Sequence, residues 1–314
     1  MAIEFLKYIA PDAEEYEFHV PSPRVGRWVV SQSGWGTPPI EHITQRGPFQ
    51  HGETVKDYFL RPRTIQLLIR QEFCDRKDWW DGRGNLLDYI RPNRQLTPTA
   101  AEPGQLILIT SNNEERALDV FIAEGPRFEP RRQGIWDEWS FQEVLRFVAF
   151  NPAVYDPTEV AIAEASGIDE ELVFPITFDV PGLVEIRFGR GNIDLTPNIN
   201  YTGTWESLPI IEIRGPLDNP IIDNVTTGEK VELAYNVPPY RTVTIDLRYG
   251  YKTVQDDLGN NLIGTVTTDS DLATFHIAPN PEAPLGVNAM RFRGNNANSA
   301  TLITLRYYTR YYGI

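Results

Sequence analysis

Arg241-Thr242-Val243-Thr244-Ile245-Asp246-Leu247-Arg248-Tyr249 is the stretch that decides the fold class. Val243, Ile245, Leu247 and Tyr249 fall on one face, and Thr242, Thr244, Asp246 and Arg248 on the other. That period of two belongs to a pleated strand with one side buried. Residues 64–70 repeat the pattern through Ile65, Leu67 and Ile69, and residues 230–235 through Val231, Leu233 and Tyr235. Near the end, Ile303, Leu305 and Tyr307 oppose Thr304, Arg306 and Tyr308. Shorter candidate strands are 105–110, 118–123, 140–150, 176–180, 183–188, 208–214 and 273–277. Gly, Pro and Asn clusters separate these runs, so the chain is expected to be mainly β, built as sandwiches or barrels.

One helix is predicted, over 75–90. Asp75 can cap its first turn and Asp78 suits the positive helix end. Trp79, Leu86, Leu87 and Ile90 would share a face, Gly82 and Gly84 weaken the centre, and Pro92 stops the helix. The 314 residues suffice for two domains. The Asn151-Pro152 and Asp156-Pro157 steps mark the boundary. Residues 1–155 are read as the N-terminal domain, the Ala-rich, acidic stretch 156–172 as a linker without a clear strand, and 173–314 as the C-terminal domain. No repeat of fixed period is found, which argues against solenoids and propellers.

Composition narrows the function. The chain is 41% hydrophobic and 23% charged, as in a folded soluble protein. No apolar run is long enough for a membrane span, so no membrane insertion is expected. The start carries Glu4 and lacks the signature of a secretory signal, so synthesis in the cytoplasm is expected. The single cysteine, Cys74, excludes an internal disulfide. Formal charge is −14. Residues 1–155 hold 18 Lys+Arg against 22 Asp+Glu, and residues 156–314 hold 11 against 21. So acidic a chain is a poor binder of phosphate backbones, though it suits the wall of a passage that DNA slides through.

Chemistry-bearing motifs are scarce. His19, His42, His51 and His276 show no metal-ligand spacing, and Cys74 has no assignable histidine partner. Gly189-Arg190-Gly191 is followed by no helix pattern and reads as a turn rather than a phosphate cradle. Asp256-Asp257 with Gly259-Asn260-Asn261, and Asp269 with Asp271, offer oxygens that calcium could use. Neither fits an EF-hand, and the same residues serve tight turns, the favoured reading. No local motif singles out a carboxylate pair for glycoside hydrolysis. No catalytic residue, cofactor or metal is therefore expected.

Several segments resemble the Dit-like distal tail proteins of siphophages. In the first domain these are Gln45-Arg46-Gly47-Pro48-Phe49-Gln50-His51-Gly52 and Phe59-Leu60-Arg61-Pro62-Arg63-Thr64-Ile65. In the second they are Phe174-Pro175-Ile176-Thr177-Phe178, which looks like the opening strand, Arg190-Gly191-Asn192, Thr196-Pro197 and Ile211-Glu212-Ile213-Arg214-Gly215. There follow Asn219-Pro220 through Thr227-Gly228, similar to a turn of the family, then Thr244-Ile245-Asp246, Lys252-Thr253-Val254 and Gly286-Val287-Asn288, and the ending Leu305-Arg306-Tyr307-Tyr308-Thr309-Arg310-Tyr311-Tyr312-Gly313-Ile314. Their order over 45–70 and 174–314 carries the resemblance; residues 76–133 hold no motif of the family.

The resemblance implies a non-enzymatic hexameric ring in the virion tail tip, closed by the N-terminal β-sandwich. Its partners would be further copies of itself, the tail tube protein, the tail-tip hub protein and a receptor-binding protein or tail fibre. Genome DNA would pass through the lumen without specific binding. The C-terminal domain would be a galectin-like β-sandwich. Candidate subunit-interface residues are Trp28 and Trp35, in the Gly/Pro-rich segment 21–39, and Arg61 and Arg63; core packing is the alternative for the tryptophans. The rival reading is a lectin-like carbohydrate-binding module, with Tyr201 and Trp205 as the sugar contacts. A glycoside hydrolase ranks last.

Overall fold

The structure is a computed structural model and describes residues 3–18, 25–91, 102–110, 112–128, 139–165 and 191–314. It is mainly β, as the alternation requires. Two compact units divide the chain: Met1–Pro157 with Tyr311–Ile314, and Thr158–Arg310.

The first unit holds β1 (Ile3–Ile9), β2 (Glu15–Glu17), β3 (Val25–Ser33), β4 (Ile40–Gln45), β5 (Thr54–Leu60), β6 (Arg63–Phe73), α1 (Arg76–Tyr89), β7 (Gly104–Thr110), β8 (Glu115–Glu124) and β9 (Ser140–Ala149). β10 (Val154–Ala165) starts in it and runs on into the second unit. β8 serves two sheets. Its first half pairs with β7, which pairs with β1 and so with β2; its second half pairs with β9, which pairs with β6 and so with β3. Between them lies a core of Leu6, Tyr8, Ile65, Leu67, Ile69, Leu106, Leu108, Leu118, Leu145 and Phe147. β6 alternates buried and accessible residues along its whole length.

The helix forms where the capping residue predicts it. Asp75 accepts a hydrogen bond from the Asp78 N–H at 2.9 Å, satisfying one of the open donors of the first turn. Leu86 and Ile90 are buried and Trp79 packs on the core, whereas Leu87 points outward, 47% exposed. The helical face is thus narrower than expected. Gly82 is needed for close approach, since a Cβ there would collide with the Phe73 ring.

The second unit contains β11 (Gly191–Leu195), β12 (Asn198–Asn200), β13 (Ile210–Arg214), β14 (Leu217–Asn224), β15 (Glu229–Glu232), β16 (Asn236–Val237), β17 (Thr242–Asp246), β18 (Thr253–Asp256), β19 (Val287–Ala297) and most of β20 (Leu302–Tyr311). One sheet runs β18-β17-β13-β20 and the other β15-β14-β19-β11, with β12 and β16 at its margins. Ile211, Ile213, Val243, Ile245, Val254, Ile303 and Leu305 of the first share a core with Ile222, Val231, Met290 and Phe292 of the second. This is a β-sandwich.

Four local expectations are corrected. β10 continues to Ala165, so the first part of the supposed linker is strand. β17 ends at Asp246, because its carboxylate turns back to accept the Arg248 N–H at 3.0 Å; Tyr249 therefore leaves the buried face. Residues 273–277 form no strand, only an isolated bridge between Ile277 and Ser207. Pro220 lies inside β14, where a turn was expected. The expected strands 174–178, 176–180 and 183–188, and linker residues 166–172, lie outside the described residues.

Candidate assembly surface

β4 and β5 form a two-stranded sheet of their own, paired from Ile40↔Leu60 to Gln45↔Thr54 with a register shift after Ile43. Every residue in the two strands is exposed except Leu60, which is partly covered. Ile40, Ile43, Val55, Tyr58 and Phe59 thus hold apolar side chains in solvent, Val55 and Phe59 at 58% exposure each. A lone hairpin is marginal in water, and its long open edges invite pairing with another chain. At its base Arg61 grips Glu41 with both Nη2 (2.8 Å to Oε1) and Nε (2.9 Å to Oε2). That grip holds the Glu41 carboxyl below its usual range, through the hydrogen bond first and the charge second. The Arg61 N–H also donates to the Pro39 carbonyl at 2.8 Å.

The Gly-bearing motif 45–52 is the tip of this hairpin. The Gly47 N–H donates to Gln50 Oε1 at 2.9 Å, Gln50 Nε2 to Thr54 Oγ1 at 2.9 Å, and Arg46 Nε to the Gln50 carbonyl at 3.2 Å. Gly52 takes φ +80°, which favours glycine, and Phe49 stands fully exposed at φ +62°. The two strands were missed in the sequence. Their signal was present: 40–45 and 54–60 flank a turn rich in Gly and Pro.

The four residues expected at a subunit interface separate. Arg61 is exposed at the hairpin base, and Trp28 is partly exposed on β3, with the Arg70 guanidinium 6.0 Å above its ring. Trp35 and Arg63 are instead internal to the unit. Arg63 takes the first inward position of β6, in register with Ile65 and Leu67, so strand periodicity buries it. It donates from Nη1 to the Trp35 carbonyl (3.0 Å) and from Nη2 to the Tyr312 carbonyl (2.8 Å). The Ile314 N–H reaches the Trp35 carbonyl at 3.1 Å, so the last residues are tied into the first unit.

In the second unit Tyr201 is buried. Its hydroxyl donates to the Trp205 carbonyl at 2.6 Å and accepts from the Arg310 N–H at 2.8 Å, leaving it no surface for a sugar. Trp205 is partly exposed and bridges to Arg310 through its backbone. The Asp256 loop is a turn: Asp256 Oδ1 accepts from the Leu258 and Asn260 N–H groups at 3.0 and 2.8 Å, and Oδ2 from Asn260 Nδ2 at 2.8 Å. Asp271 likewise accepts from the Lys230 N–H at 3.0 Å. Among the described residues no group of three His, Cys, Asp or Glu gathers as a metal site. No helix there is long and apolar enough to cross a membrane.

Residues 202–311 match the family model of the siphovirus-type tail component, C-terminal domain. Over this stretch the chain is similar to the siphovirus-type tail components, and its motifs resemble those of the Dit-like phage tail proteins. The fold agrees over both units: the Dit protein (gp 19.1) of phage SPP1 superposes with a TM-score of 0.58 at 11% identity, covering 97% of this chain and 98% of that one. A chain of the phage P2 baseplate in its activated, calcium-containing conformation gives a TM-score of 0.46 at 10% identity, covering 98% of each chain. No curated protein matches the sequence. The family match supports a structural protein of a phage tail.

Proposed function

We propose that this Dit-like chain is a non-enzymatic adaptor that closes a hexameric ring through its first unit, between the tail tube protein and the tail-tip hub. The observation that carries this reading is the β4–β5 hairpin, a polypeptide ribbon with apolar side chains and open edges projecting into solvent. Pairing it with a neighbouring copy, and repeating that contact around a rotation axis, satisfies its backbone groups and leaves no copy with an uncovered hairpin. Trp28 and Arg61 are the candidate interface residues. The second unit is free to carry a receptor-binding protein or tail fibre, and the net charge of −14 per copy keeps genome DNA from adhering to the lumen. Light scattering and negative-stain microscopy of the purified chain test the proposal. Rings of about six subunits are expected; a monomer at all accessible concentrations argues against ring closure by this chain alone.

A further inference from the structure

His276 of the second unit is 9% exposed, and its ring meets acceptor oxygens at both nitrogens. Nδ1 lies 2.8 Å from the Thr274 carbonyl and 3.0 Å from Glu229 Oε2. Nε2 lies 3.2 Å from Glu282 Oε1, near enough to pair as ions though off the line of a hydrogen bond. A neutral imidazole has one N–H and one lone pair. In one tautomer that lone pair faces Glu282; in the other it faces Thr274 and Glu229. Only the imidazolium offers a hydrogen at each nitrogen.

The ring joins two separate pieces of chain. Glu229 opens β15 just after the turn that follows β14, and its Oε2 also accepts from the His276 N–H at 3.2 Å and from Thr227 Oγ1. Glu282 stands in the segment between His276 and β19. Behind the ring, buried Asn224 donates from Nδ2 to the His276 carbonyl at 2.9 Å and to Asn288 Oδ1 at 3.1 Å, and Asn288 holds the Ala278 N–H and carbonyl. The charged groups nearby are the carboxylates of Glu229, Glu282 and Glu206, together with Lys252, whose ammonium donates to the Leu272 and Ala273 carbonyls. Burial alone drives the ring towards neutrality. The Thr274 carbonyl and the three carboxylates outweigh it, so the pKa is raised above its ordinary 6.5.

We propose that the His276 imidazolium is a pH-dependent latch that holds segment 274–283 against the turn at the start of β15. Because the folded-state value is raised, the contribution is complete below the ordinary histidine value and is lost as pH rises through the folded one. Alkaline conditions therefore loosen this edge of the sandwich, and mildly acidic ones secure it.

The full chain tests the latch. Imidazole nitrogen NMR, with the His276 signal assigned by its loss in His276→Gln, is expected to show both nitrogens protonated at pH 6 and a midpoint above 6.5. Amide exchange of residues 274–283, corrected for its intrinsic pH dependence, is expected to rise about threefold or more across that midpoint. Glu282→Gln, at a half-exposed position, is expected to lower the midpoint while the chain stays folded, and His276→Gln to flatten the exchange profile. A midpoint at or below 6.5, corrected exchange that ignores pH, or an unshifted midpoint in Glu282→Gln would overturn the proposal.

Discussion

Arg63 directs its charge at the backbone carbonyls of Trp35 and Tyr312 from a site with 1% exposure, and burial lowers its pKa to about 10. It stays protonated at neutral pH, so its fork ties the β3–β4 connection to the final residues of the chain. Arg63→Met would leave both carbonyls without their charged donor; a loss of about 3 kcal/mol in urea unfolding of the first unit is expected, and an unchanged midpoint would refute the tie. Tyr201 has a comparable role in the second unit. Tyr201→Phe is expected to cost about 1–2 kcal/mol in thermal unfolding, since the Arg310 N–H loses its acceptor in a buried site. At this scale the sequence was a partial guide. Residue type marked Trp35, Arg63 and Tyr201 as notable, but whether an Arg or Tyr faces a neighbour or a core depends on strand register and chain ends brought together from far along the sequence. Asp75 was legible because a cap acts within three residues of itself.

Among the elements, α1 and the β4–β5 hairpin separate what local signals reveal from what they hide. The helix announced itself through its cap, yet the need for Gly82 lay in the distant Phe73 ring. Gly82→Ala should gain up to about 1 kcal/mol of helix propensity and lose about 1–3 kcal/mol to overpacking, for a net fall in the melting temperature of the first unit; a stabilised variant would contradict this contact. The hairpin went unread because its faces mix charged and apolar residues, as a ribbon without its own core can. Val55→Asp with Phe59→Asp changes side chains that touch little within the chain. Unfolding free energy should move by no more than about 0.5 kcal/mol per site, while light scattering should report the loss of rings. Rings that persist in the double variant would remove the hairpin from the interface. β17 shows the opposite error: its alternation reads through to Tyr249, but the Asp246 side chain captures the Arg248 backbone N–H and ends the strand early.

For the molecule as a whole, the β class and the distribution of Gly, Asn and Pro motifs were visible in the sequence, and the match over residues 202–311 takes in several of those motifs. The division of the chain was harder to see. The chain leaves the first unit within β10, at the Asp156-Pro157 step, and comes back within β20, where no such step stands; neither crossing is a loose linker. The carboxy-terminal residues rejoin the first unit through Arg63, a partnership that spans most of the sequence. Among the described residues nothing covers the β4–β5 ribbon, and the proposed ring would supply that cover from a neighbouring copy. The most direct measurement is cryo-electron microscopy of an intact tail tip at side-chain detail. We predict a closed ring of this chain around an open lumen, each β4–β5 hairpin covered by the adjacent copy; a hairpin left bare in solvent, or a lone subunit outside any ring, would contradict the account.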